Sequence, residues 1–255
     1  MILIYSIVIF IATFLGALAG LGGGVIIKPV LDLINYHSLT NISFLSTVAV
    51  TSMAIISLIK QRNNRKNMNL KVLAIIAFAS MLGGIIGNIL FDYCLAIFPE
   101  TAVRNIQAVL LNGLLVFVII SVYKHLTWKV NGVMSYIIIG LLLGTFSSFL
   151  GIGGGPINVA VFTIFLGMDV KKATLYSIAT ILFSQLSKLG TIALTTGFQS
   201  FDIEPLLYVI PTALLGGVFG SYYNQKLSNK QVANIFIVTM LIIICMNCII
   251  LYINL

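Results

Sequence analysis

The chain alternates long apolar runs with short polar breaks. Apolar stretches fall at about 2–20, 25–34, 40–60, 71–96, 104–123, 133–150, 156–167, 173–196, 205–224 and 231–254. Most hold the roughly 20 residues a helix needs to cross the hydrocarbon core of a bilayer. The runs 25–34 and 156–167 do not, since as helices they would cover only about 15–18 Å. Each of the two follows a glycine cluster, GLGGG at 20–24 and GIGGG at 151–155. The pattern predicts an all-α integral membrane protein with long spanning helices and two short, glycine-led helices that are broken or re-entrant.

The order of these segments repeats. GLGGG is matched by GIGGG, GGIIG at 83–87 by GGVFG at 216–220, and Val103-Arg104-Asn105-Ile106 by Val232-Ala233-Asn234-Ile235. The separations are nearly constant: 131 residues from Gly22 to Gly153, 133 from Gly83 to Gly216 and 129 from Val103 to Val232. The reading is one membrane domain of two repeats, 1–124 and 132–255, joined by a cytoplasmic linker at 125–131.

Loop charge sets the orientation, because short basic loops stay in the cytoplasm. Lys60, Arg62, Arg65, Lys66 and Lys71 cluster in one loop, and Lys124, His125 and Lys129 in the linker. In the second half the basic loop has moved. The counterpart of 60–71, at 197–204, carries Asp202 and Glu204, whereas 225–230 carries Lys226 and Lys230. A switch of this kind predicts inverted-topology repeats of five segments each, with both chain ends outside the cytoplasm.

Composition agrees with the membrane reading. Of 255 residues, 60% are hydrophobic and 8% charged, against about 25% charged in soluble chains. A net charge of +8 would suggest nucleic acid in a soluble protein. Here the bases lie between apolar runs, so the expected surroundings are a lipid bilayer and a multi-pass place in the cell (plasma) membrane, with no nucleic acid. Cys245 and Cys248 form a C-x-x-C without a second pair or a histidine cluster, which argues for packing rather than zinc. The first run ends in Ala17-Leu18-Ala19, which resembles a signal-peptidase site. No base precedes it and the following segment recurs, so the N-terminus is expected to be retained.

Glycine clusters leading into short helices are suited to anions. Gly22, Gly23 and Gly24, and Gly153, Gly154 and Gly155, let backbone approach a ligand closely. The helix starts behind them expose N–H groups and the positive end of a dipole. GGIIG and GGVFG suit close helix packing instead. No Gly-Lys-Ser/Thr follows either triple-glycine cluster, which excludes a nucleotide loop.

Polar residues at membrane depth are costly and point to function. Lys28, four residues past Gly24, could face an anion or pair with Asp32 one turn on. Lys188 could serve the site or snorkel to the interface. Asn158 follows the second cluster, Thr51 and Ser52 lie on the 40–60 helix, and Ser184 and Gln185 on its partner 173–196. Ser177, Thr180 and Ser184 form one stripe, either lining a cavity or bonding between helices. Asp32 and Lys188 are candidates for coupling, with Asp32 and Asp92 the carboxylates within or near apolar segments available to protons. No Ser-His-Asp, HExxH or paired-carboxylate arrangement is present, so neither an enzyme nor a cofactor is expected.

The motif GLGGG-V-I-I-K-P at 20–29, repeated as GIGGG-P-I-N-V at 151–159 and followed each time by a short apolar segment and a helix rich in Ser, Thr and Ala, resembles the TauE/SafE (sulfite exporter) family over nearly the whole chain. The resemblance implies secondary transport, often export, of sulfite or organosulfur anions. Ala160 stands where the second half often has proline in that family, so the halves would contribute unequally to a site. The expectation is a secondary transporter, and an exporter, of a small anion such as sulfite or an organosulfonate. It would be held at the helix starts after Gly24 and Gly155. The alternatives are a passive anion channel and a non-transporting scaffold. Sequence leaves the oligomeric state open, a homodimer included.

Overall fold

The computed structural model describes residues 2–34, 36–62, 68–124, 128, 130–152 and 154–253. Among them there are helices and turns but no strand. The first five helices are α1 (Ile2–Ala19), α2 (Gly24–Ile34), α3 (Leu39–Lys60), α4 (Leu70–Ile97) and α5 (Glu100–Tyr123). The second five are α6 (Val133–Leu150), α7 (Gly155–Ile164), α8 (Val170–Leu194), α9 (Leu206–Lys226) and α10 (Asn229–Ile253). All ten match apolar runs of the sequence. Eight are long and apolar enough to cross a membrane, while α2 and α7 have 11 and 10 residues.

Boundaries follow local chemistry. Ser38 and Asn69 cap α3 and α4, their side-chain oxygens accepting the backbone N–H groups of Asn41 and Val72. Gly151 ends α6 with a φ of 65°, a left-handed conformation that favours glycine.

Interfaces come in pairs. The most extensive join α4 with α6 and α1 with α9; next are α9 with α3 and α4 with α8, while α3 packs on α8 between them. Exchanging α1–α5 for α6–α10 turns the first interface of each pair into the second.

Glycine makes the two largest interfaces close. A Cβ on Gly144 would fall 2.1 Å from the carbonyl oxygen of Ser80, and one on Gly87 2.3 Å from that of Thr145. On the other side, a Cβ on Gly216 would fall 2.1 Å from Thr13 Oγ1 and one on Gly220 2.2 Å from the Phe14 carbonyl oxygen. Without a hydrophobic drive between helices in lipid, such contact is what holds them together. Packing is thus the role of GGIIG and GGVFG. Gly144→Ala and Gly216→Ala should each lower the melting temperature in detergent by about 5 °C, from about 1–3 kcal/mol of overpacking. Gly113→Ala should not, because its Cβ would meet nothing within 4 Å.

Contacts at the helix ends define two ends of the molecule. At one, Tyr5 of α1 meets Tyr208 and His37 edge-on, and Glu100 accepts the Leu39 N–H. At the other, Gln225 and Lys171 join the ends of α3, α8 and α9, and the N–H groups of Trp128 and Val130 bond the end of α7. Helix α1 therefore leaves the first end and α2 returns to it; α6 leaves the second end and α7 returns there. Bulky apolar side chains such as Phe78, Ile89, Phe117 and Leu207 are exposed on the long helices, as lipid contact requires.

Candidate functional site

The two glycine clusters meet at the centre of the molecule. A Cβ on Gly24 would fall 2.6 Å from the Ile152 carbonyl oxygen, and one on Gly155 2.0 Å from that of Leu21. The start of each short helix thus abuts a backbone carbonyl of the opposite cluster. The contact is reciprocal, and it leaves no room for an ion between the two starts. Gly22, Gly23 and Gly154 all have positive φ, so only glycine turns the chain there without strain. Gly153 lies outside the described residues.

One hydroxyl, that of Ser177, reaches both clusters. Ser177 donates to the carbonyl oxygen of Gly20 at 2.7 Å, and Ser46 Oγ lies 3.1 Å from the Cβ position of Gly24. The rest of the stripe bonds its own helix: Thr180 to the Tyr176 carbonyl and Ser184 to that of Ile181. Thr51 and Ser52 likewise bond the carbonyls of Thr47 and Val48. Gln185 is buried on α8.

Lys28 does not pair with Asp32. Its ammonium donates to Gln107 Oε1 and, at 2.7 Å, to the Leu150 carbonyl oxygen. Gln107 in turn donates to the Phe149 carbonyl oxygen, and the N–H groups of Gly151 and Ile152 serve Ser148 and Ser147. All four last carbonyls of α6 are therefore satisfied, two of them by side chains from other helices. A lysine at a helix C-terminus also meets the negative end of its dipole. Asp32 lies 3.7 Å from Arg104 instead, and Arg104 also holds Glu100 at 2.9 Å.

Lys188 does not snorkel. It is 6% exposed, and its ammonium donates to Ser43 Oγ at 2.6 Å. Ser43 Oγ and Lys28 Nζ lie 3.2 and 3.3 Å from the Cβ position of Gly151. Through these contacts the two ammonium nitrogens are no more than about 9 Å apart. Among the described residues, neither lysine has a carboxylate within ion-pair distance. Phe91 bridges them, its ring 6.0 Å from Lys28 Nζ and its side chain lining a cavity of about 80 Å³ with Lys188, Ser43, Asn88, Asp92 and Thr191. A smaller cavity of about 20 Å³, room for about one water, lies beside Lys28, Gln107 and Asp32.

A third group stands at the start of α7. Ser147 Oγ, Ser148 Oγ and Asn158 Oδ1 are buried without a hydrogen-bond partner among the described residues, and Ser147 and Asn158 flank Gly154. Buried polar atoms of this kind call for a partner such as water or a ligand.

A family model described as sulfite exporter TauE/SafE matches residues 5–246. The chain belongs to this family. No curated protein and no solved structure matches it. Membership makes it a multi-pass membrane transporter of the sulfite and organosulfur exporter type. Sequence reasoning missed Gln107, which accepts from Lys28, Ser43, which accepts from Lys188, Asn88 of the Lys188 cavity, and Ser147 and Ser148 beside the second glycine cluster. A polar side chain inside an apolar run, as Gln107 is within 104–123, was the available signal.

Proposed function

We propose that the protein carries a small oxyanion, sulfite or an organosulfonate, in a site built around Lys28, Lys188 and Ser43 next to the contact of the two glycine clusters. The observation that supports this most is the pair of buried lysines with no carboxylate within ion-pair distance among the described residues. Two like charges at the upper limit of about 9 Å repel by about 2 kcal/mol at an effective dielectric constant of about 20, whereas an anion midway, about 4.5 Å from each, gains about 4 kcal/mol per contact. A monoanion between them therefore relieves the site that its absence strains. Ser147, Ser148 and the start of α7 add donors on the far side of the clusters, beside Asn158. The anion sits beside the abutting helix starts rather than between them.

Carrier behaviour is favoured over an open channel by the packed glycine contact, which closes a continuous path. The paired interfaces, and the opposite ends from which α1–α2 and α6–α7 set out, support an inverted repeat of 1–124 and 132–255. The end holding Lys60, Arg62, Lys171 and Lys226 faces the cytosol under the positive-inside rule. Export of an anion from a cell negative inside is favoured by roughly 2.3 kcal/mol per charge per 100 mV. Asp32, tied to Arg104, and Lys188 remain the groups through which a proton would couple.

Labelled sulfite efflux from proteoliposomes tests the site. Lys188→Gln keeps a donor to Ser43 and removes the charge, and flux should fall at least about tenfold, the loss of one charge-assisted contact. Unchanged flux would remove Lys188 from the site.

A further inference from the structure

The end of α3 opposite Ser43 borders a third, larger cavity. It measures about 310 Å³ and is lined by Gln61, Met68, Asp169, Lys171, Lys172, Leu175, Asn224 and Asn229. Half of its lining stands at repeat-related positions to the lining of the Lys188 cavity. Thr40, Phe44 and Ile192 of that cavity stand 131 residues from Lys171, Leu175 and Gln61 of this one, and Phe91 stands 133 from Asn224. The two cavities thus occupy opposite ends of the antiparallel α3–α8 pair, with the glycine clusters between them.

Gln61 shows what this cavity takes. It is 1% exposed, and among the described residues neither its amide nitrogen nor its amide oxygen has a hydrogen-bond partner. A buried amide left in that state costs about 1–3 kcal/mol, so it calls for a guest in the adjoining space. The charge there is cationic. Lys171 is anchored by the carbonyl oxygens of Gln225 and Leu227, Lys172 is exposed, and Asp169 offsets one of the two. Behind them Asn224 donates to the Leu18 carbonyl oxygen at 2.6 Å, two residues before the first glycine cluster. A guest in this cavity lies one step from the cluster contact.

We propose that the Gln61 cavity is a second subsite for the transported oxyanion, the loading site on the side of the basic loops, held by the Gln61 amide and the Lys171–Lys172 pair. The proposal rests on the transport reading and adds where the anion waits before it reaches Lys28 and Lys188. In this arrangement the substrate meets repeat-related sites in turn, a glutamine-led one at one end of α3–α8 and a lysine-led one at the other.

The experiment measures sulfite half-saturation separately from each face, in proteoliposomes sorted to one orientation by a C-terminal tag. Gln61→Leu should raise the constant on the Gln61 face about tenfold, as loss of a hydrogen bond to a charged group does, and leave that on the Lys188 face within about twofold. Lys172→Gln, on an exposed and screened side chain, should raise the same constant about threefold. Should Gln61→Leu fail to fold, Lys172→Gln decides. Wild-type flux with both constants unchanged in the variants overturns the subsite alone, leaving a cavity that holds only water. A wild-type protein that moves neither sulfite nor an organosulfonate overturns the transport reading and this proposal with it.

Discussion

Gly155→Ala is expected to abolish transport and to cost the fold at least about 3 kcal/mol. The new methyl carbon would stand 2.0 Å from both the carbonyl carbon and the oxygen of Leu21. Side chains can swing away from such a clash, but these are backbone atoms in a turn set by the positive φ of Gly20 and Gly22. Relief would need the two clusters to part. That separation would also loosen the Ser177 bond to Gly20 and expose main-chain groups that find no water at this depth. Thermal dispersion in detergent and sulfite flux in proteoliposomes report the two effects. Gly190→Ala is the control, since its Cβ would meet nothing within 4 Å, and it should leave both unchanged. A Gly155→Ala protein with normal flux and melting would show that the clusters stand apart in the working carrier, and the site beside them would have to be placed elsewhere.

How far the sequence led can be judged at these same residues. The ten apolar runs and the shortness of two of them were legible because hydrophobic length in lipid has few solutions: a run either spans or stops. The roles of GGIIG and GGVFG were legible for a similar reason, since small residues at four-residue spacing serve helix contact. Pairing was not. Lys28 and Asp32 share a helix face at i and i+4, and local spacing made them partners. Tertiary structure assigns Lys28 to α6 and α5, where Leu150 and Gln107 offer acceptors, and Asp32 to Arg104. Ser43, Ser147 and Ser148 read as ordinary small polar residues of spanning helices. Their significance arises from where α3 and α6 end relative to the clusters, which no one-dimensional pattern carries. Gln61 was hidden by its neighbours, being one more polar residue at the edge of a basic loop.

Lys28→Met is expected to reduce sulfite flux more than tenfold while changing stability little, and the combination is what distinguishes a substrate ligand from a helix cap. As a cap, Lys28 supplies hydrogen bonds to the Leu150 carbonyl and to Gln107, and leaving those acceptors bare costs about 1–3 kcal/mol each. Against this stands the burden of an ammonium at membrane depth with no ion pair among the described residues, about 2.5–3.5 kcal/mol on insertion scales, together with its repulsion from Lys188. These terms are of similar size and opposite sign, so the melting temperature should move by only a few degrees. Flux has no such compensation, because the lost attraction for the anion is not replaced by anything methionine brings. Lys28→Arg should retain part of the flux, since it keeps the charge but offers a planar fork where a compact ammonium fitted. A Lys28→Met protein that melts far below wild type would make the cap the chief role of this lysine. One that carries sulfite at the wild-type rate would exclude it from the path of the anion.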